Sequence, residues 1–234
     1  MEVILKYLEF IPAYAADLIA LLTAPKTFLK SVNVATDTNW SRALRFFVFS
    51  AVASFLLIRL SGLPYQAKDE NFLVGLSKSV VLWAVGVLFG AAAIKISWKL
   101  TGGKASFDSI LLTHMYVVSV SLLSINCITL AESGLVGRSN FYSGFARDMG
   151  AIGVAESLSR SFPTDAQIKR VFSLIVDAVE LVWIIATWGA YRDLNSASRP
   201  RSFAAFIVCG LIFIPIWGIL LLLLEGTALP PMKP

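Results

Sequence analysis

The chain is punctuated by apolar runs that are too long and too sparsely charged for the core of an ordinary soluble domain. FLVGLSKSVVLWAVGVLFGAAAIKI (72–96) and ILLTHMYVVSVSLLSINCITL (110–130) are separated only by SWKLTGGKASFDS. Each run is long enough to cross a hydrocarbon core about 30 Å thick. Inside that core the backbone must satisfy its own polar groups, which a helix does. The two runs therefore read as a transmembrane hairpin. Its connection holds Lys99, Lys104, the pair Gly102-Gly103 and one acid, Asp108. A turn-forming, positive connection of this kind is expected on the cytoplasmic side.

Three further runs have the same character, at about 41–60, 168–191 and 202–224. Hydrophobic residues make up 57% of the 234 positions and charged residues 15%, against roughly 45–50% and about 25% in soluble domains. Little chain remains for a soluble domain. The expected fold class is all-α, a polytopic membrane protein with five transmembrane helices plus an N-terminal amphipathic interfacial helix. The expected division is 1–40 for that helix and a linker, 41–225 for the five-helix domain, and 226–234 for a short tail.

At the N-terminus, Ile4, Leu8, Ile11, Ala15, Leu18 and Leu22 share one helical face, and Lys6, Glu9 and Asp17 fall opposite it. Three charges in so short a run point to a helix lying in the membrane plane with its charges toward water. A signal-anchor-like first span is the alternative. Lys6 and Glu9 interrupt the apolar core that a cleavable signal peptide would need, so none is expected. In the first span Arg45 and Arg59 bracket an uncharged core, Phe46 to Ile58, and are expected to snorkel to opposite headgroups. In the stretch between the third and fourth spans, Phe141, Phe145, Met149 and Ile152 recur at helical spacing and predict a short amphipathic helix. Pro215 is expected to kink the fifth span.

Charge gives the orientation. Lys26, Lys30, Arg42, Lys99, Lys104, Arg192, Arg199 and Arg201 fall on the side of the N-terminus, while the first turn on the other side holds only Lys68. The longer stretch on that other side holds Arg138, Arg147, Arg160, Lys169 and Arg170, which weigh less because long segments do. The positive-inside rule then places the N-terminus inside and the C-terminus outside. The net charge of +5 follows from these span ends, so nucleic acid is not an expected partner. The expected partners are the lipid bilayer and a second copy or another membrane protein. Gly86-x-x-x-Gly90 in the second span is a helix-packing motif at which a neighbouring backbone is expected to approach closely.

Candidate chemistry concentrates on the fourth span, where Ser173, Asp177, Glu180, Thr187 and Tyr191 share a narrow helical arc. Two carboxylates one turn apart at membrane depth must face the bundle interior, water or a partner. They are either a polar site on a cation or proton pathway, or a structural pair satisfied by neighbours such as Lys78. Lys78 itself is expected to snorkel outward. His114, the single histidine, is expected as hydrogen-bonded packing rather than a ligand. Ser119, Ser121, Ser124, Asn126 and Thr129 scatter around the third span and suggest interhelical hydrogen bonds. Cys127 and Cys209 fall inside spans and read as packing residues. No P-loop, nucleophile elbow, His-Glu-x-x-His or metal-spaced cysteine set occurs. The expectation is accordingly a non-enzymatic protein with no catalytic residues, metal or cofactor.

The order of a small-residue helix, a basic turn with Gly102-Gly103, and Ala105-Ser106-Phe107 opening the next helix resembles the Yip1-domain family of multi-spanning membrane proteins. Ala24-Pro25-Lys26-Thr27-Phe28 ahead of a tryptophan-led first span (Trp40, Ala43, Leu44, Phe46) is similar to that family's entry. The likeness covers about 20–225. It implies an integral membrane protein that organises membrane or recruits partners. The aspartate- and glycine-rich motifs and the long polar N-terminal tail of eukaryotic members do not occur, so the resemblance implies a bacterial-type member in the cytoplasmic (inner) membrane.

Overall fold

The computed structural model describes residues 10–34, 36–61, 71–148 and 165–226, and every element among them is a helix. They are α1 (Phe10–Thr23), α2 (Pro25–Val32), α3 (Asp37–Ser61), α4 (Phe72–Leu100), α5 (Phe107–Asp148), α6 (Asp165–Leu194) and α7 (Arg199–Gly226). Local sequence explains their starts. Pro25 occupies the first turn of α2, where a missing N–H costs nothing. The Thr36 hydroxyl accepts from Asn39 N at 3.2 Å, the Asn71 side chain from Leu73 N at 2.9 Å, and the Ser106 hydroxyl from Ser109 N at 3.2 Å. These cap α3, α4 and α5 respectively.

Four helices among the described residues are long and apolar enough to cross a membrane: Asp37–Leu60, Phe72–Leu100, Phe107–Leu135 and Gln167–Leu194. The molecule is thus a helical membrane protein, and four of the expected runs correspond to these four helices. α5 is the centre. It packs against α2, α3, α4 and α6, and 50% of its most apolar stretch is buried, against 11% for α6. Trp98, Tyr116 and Phe46 are fully buried in the shared core. α7 rests on α4, and α6 on α5 and α2. α6 and α7 adjoin through Trp188, whose Nε1 donates to Ser202 O at 3.2 Å.

Two expectations change. α5 continues to Asp148 over 42 residues, so Phe141 and Phe145 belong to that helix and not to a separate one. At 1.5 Å per residue it is about 63 Å long and must extend past the bilayer. Met149 and Ile152 lie outside the described residues, as do the turn at 62–70 and the tail beyond Gly226. The second change is the face of α1. Tyr14, Asp17 and Leu21 are its buried residues, whereas Ile11 is 41% exposed and Leu22 53%. The expected pattern put the apolar face in the membrane and Asp17 toward water. α1 instead turns Asp17, Tyr14 and Leu21 onto the protein, and Asp17 and Tyr14 meet the first half of α3. Tyr14 Oη and Ser50 Oγ hydrogen-bond at 2.9 Å, and Ser50 is about 20 Å along α3. α1 is therefore seated beside the middle of a span.

Candidate functional site

Two turns meet at one end of the bundle. Gly102, with φ of 84°, is the left-handed residue that ends α4. Gly102 N donates to Lys99 O at 3.2 Å and Gly103 N to Trp98 O at 2.6 Å, the paired bonds of a Schellman cap. Gly103 is required for a different reason: a Cβ there would lie 2.9 Å from Trp98 Cβ and closer still to Asn195 Oδ1. Asn195, in the turn after α6, accepts from Ala105 N at 3.1 Å and donates through Nδ2 to Tyr191 O at 2.8 Å. One buried amide thus joins the α4–α5 turn to the α6–α7 turn. Lys95 Nζ also donates to Ala105 O.

A step deeper, His114 Nδ1 and Tyr191 Oη hydrogen-bond at 3.1 Å, joining α5 to α6. Both residues are buried. The His114 ring lies on Gly90, where a Cβ would overlap Nε2. Of the expected glycine motif, Gly90 therefore receives a side chain rather than a backbone, and Gly86 has nothing within 4 Å of a built Cβ. Trp183 Nε1 donates to Val117 O at 3.0 Å, a further α6–α5 bond. Trp98 stacks on Trp188 with centroids 5.5 Å apart, and Lys26 Nζ pairs with Asp193 Oδ2 at 3.0 Å, tying α2 to α6.

The polar arc of the fourth span is divided. Thr187 and Tyr191 are buried, Glu180 is half-buried, and Ser173 and Asp177 are exposed. Ser121 Oγ donates to Glu180 Oε2 at 3.1 Å, while Glu180 Oε1 is buried with no hydrogen-bond partner. Asp177 and Glu180 are three residues apart, about 60° around the helix. α6 sits at the bundle's edge, so that angle separates inside from outside. The two carboxylates do not form a single site. Lys78 is exposed on α4, far along the bundle from His114. Ser119 and Asn126 bond back to carbonyls of their own helix, Met115 O and Leu122 O, whereas Ser121 reaches another helix. Cys209 is buried and Cys127 exposed.

Sequence reasoning missed the ion pair at the other polar position of this end. Arg42 Nε donates to Asp17 Oδ2 at 2.7 Å, and Arg42 Nη2 to Asp17 Oδ1. This bidentate pair anchors α1 to α3. The available signal was that both residues are isolated charges near apolar segments of adjacent helices. Asn195 was missed because a polar residue in a short turn looks solvated.

A cavity of about 300 Å³ lies between α4, α5, α6 and α7, lined by Ile94, His114, Val117, Ile184, Thr187, Trp188, Tyr191, Phe206, Cys209, Gly210 and Phe213. Its few polar side chains are already engaged within the bundle. Among the described residues no group of three His, Cys, Asp or Glu side chains is placed to hold a metal. Comparison with protein-family models, with curated proteins and with solved structures finds no match to this chain.

Proposed function

We propose that the chain is a non-catalytic, five-span membrane protein of Yip1-like type that organises membrane or recruits partners through the basic end of its bundle and its outer helix faces. The observation that carries this reading is where the polar side chains go. Asp17, Arg42, His114, Trp183, Tyr191 and Asn195 all bond from one helix or turn to another, and polar bonds of this kind hold helices together where hydrophobic burial cannot. What remains for interaction is surface: Leu174, Val182 and Ile185 on α6 are 61%, 67% and 64% exposed, and Lys99 and Lys104 are exposed at the α4–α5 turn.

α7 supplies the fifth span in this reading. It has 28 residues, and no charge occurs between Arg201 and Glu225. In this reading the α4–α5 turn lies inside, for which the basic residues gathered at that end speak, and the membrane is the bacterial cytoplasmic one that the resemblance implies. A cysteine at the exposed position Lys104, in a chain carrying Cys127→Ser and Cys209→Ser, should be shielded from an impermeant thiol reagent in intact cells. Labelling there would reverse the orientation.

A second reading has one observation in its favour. Glu180 Oε1 is a buried carboxylate oxygen without a partner, and such a group at membrane depth is a functional candidate for proton or cation transfer. Proteoliposomes separate the two readings. Purified wild type should give no proton or cation flux, and Asp177→Asn/Glu180→Gln should change stability or assembly alone. Flux in wild type that vanishes in the equally folded double variant would replace recruitment with transport.

A further inference from the structure

Between α6 and α7 the bundle is joined at one end, where Trp188 bonds Ser202 and packs on Phe206 with ring centroids 5.1 Å apart, and opens deeper along the helices. α7 is supported by α4, and α6 by α5 and α2, and the 300 Å³ cavity occupies the seam between them. The polar side chains on its floor are engaged elsewhere. His114 and Tyr191 bond each other at 3.1 Å, and Thr187 Oγ1 donates to Trp183 O at 2.8 Å. An ordered water needs two to four polar partners, more than so apolar a lining offers. Its rim faces outward at membrane depth: Ile184 is 39% exposed, Phe206 38% and Phe213 37%. Such a slot opens onto hydrocarbon and has room for about ten water-sized units, a good part of one lipid chain.

One end of the slot is positive. On α7 the lining residues Phe206, Gly210 and Phe213 continue toward the start of the helix through Ser202 to Arg199, at spacings of three and four. On α6 the residue one turn beyond Trp188 is Arg192. Arg199 is exposed, and Arg192 is half-buried beside Asp193 at 3.5 Å, a carboxylate that Lys26 also neutralises. Trp188 and Phe206 lie six and seven residues from these helix ends, about 10 Å in. That is the separation between a phosphate and the first part of its acyl chain.

We propose that the α6–α7 seam is a binding site for one anionic phospholipid, with an acyl chain in the slot between Ile94, Val117, Phe206 and Phe213 and the phosphate at Arg199 and Arg192. The site needs neither the family resemblance nor a choice of orientation. It goes beyond recruitment by naming a ligand.

The test uses the full-length protein in vesicles whose lipid carries bromine on one acyl chain, either phosphatidylglycerol or phosphatidylcholine. Trp188 lines the slot, so its fluorescence, taken as the difference between Trp98→Phe and Trp98→Phe/Trp188→Phe because Trp98 stacks on it, reports occupancy. Quenching should occur in both vesicles and require about fivefold less brominated lipid per arginine when the lipid is phosphatidylglycerol. Gly210 has nothing within 4 Å of a built Cβ, so Gly210→Leu should fill the slot and relieve the quenching. Arg199→Gln/Arg192→Gln, at the helix ends, should keep the quenching and abolish the preference for phosphatidylglycerol. Equal quenching of Trp188 by the two lipids overturns the proposal, as does quenching that well-folded Gly210→Leu leaves unchanged.

Discussion

The two halves of this bundle are built to different tolerances. In the half that carries the α4–α5 and α6–α7 turns, Asp17 meets Arg42, His114 meets Tyr191 over Gly90, and Asn195 bridges two turns. In the other half the same helices show open space at Gly86 and an exposed Asp177, and Glu180 meets α5 through Ser121. Lipid surrounds both halves, so hydrophobic burial cannot account for the contrast. What differs is the number of polar side chains that reach another helix. In hydrocarbon, a tightly joined region is one whose polar groups have been brought together.

The sharpest way to break this comparison is to remove one partner of the α1 anchor. Arg42→Ala leaves the Asp17 carboxylate buried without its counter-charge. The cost should be about 3 kcal/mol, near the lower end for a buried pair because Arg42 is 42% exposed. It should appear as a lowered thermal midpoint in detergent, and an unchanged midpoint would mean that α1 contributes nothing to the joined half. The glycines of one motif give the next test. Gly90→Ala drives a methyl into the His114 ring and should cost about 1–3 kcal/mol, whereas Gly86→Ala should stay within about 0.5 kcal/mol. Equal effects in a denaturant titration would erase the distinction between the halves.

Asn195→Ala leaves the Ala105 N–H without its acceptor and should cost about 1–3 kcal/mol. Hydrogen exchange at Ala105 should accelerate in that variant, while exchange across the middle of α4 should not. The smallest effect belongs to Lys26→Ala. Lys26 is 49% exposed and Asp193 34%, so the loss should be about 0.2–1 kcal/mol and should shrink as salt is added. A larger, salt-independent loss would place the Lys26–Asp193 pair among the buried fasteners.

The architecture was legible because the apolar runs fix both the element type and its length: a stretch such as 72–96 has no alternative to a spanning helix, and α4 is that helix with one more turn. The site was less legible because a face can be assigned only when the surroundings are known. Asp17 was placed toward water on the premise of a helix lying in the membrane plane with its charges outward, and Arg42 on α3 gives that carboxylate an inward partner instead. Asp177 and Glu180 share an arc in the sequence, yet the edge of the bundle passes between them. The seat of His114 on Gly90 needed two residues on different helices, and the glycine motif suggested a backbone contact instead. Asn195 gave no sign in a turn of small polar residues.

The stacked indoles of Trp98 and Trp188, with planes 21° apart, have a consequence of another kind. Two identical chromophores held that close couple their excited states, so the folded protein should show an exciton couplet in its circular dichroism that neither indole produces alone. One indole belongs to α4 and the other to α6. The couplet is therefore an intrinsic optical gauge of the distance between those helices, readable without a label and silenced by Trp98→Phe.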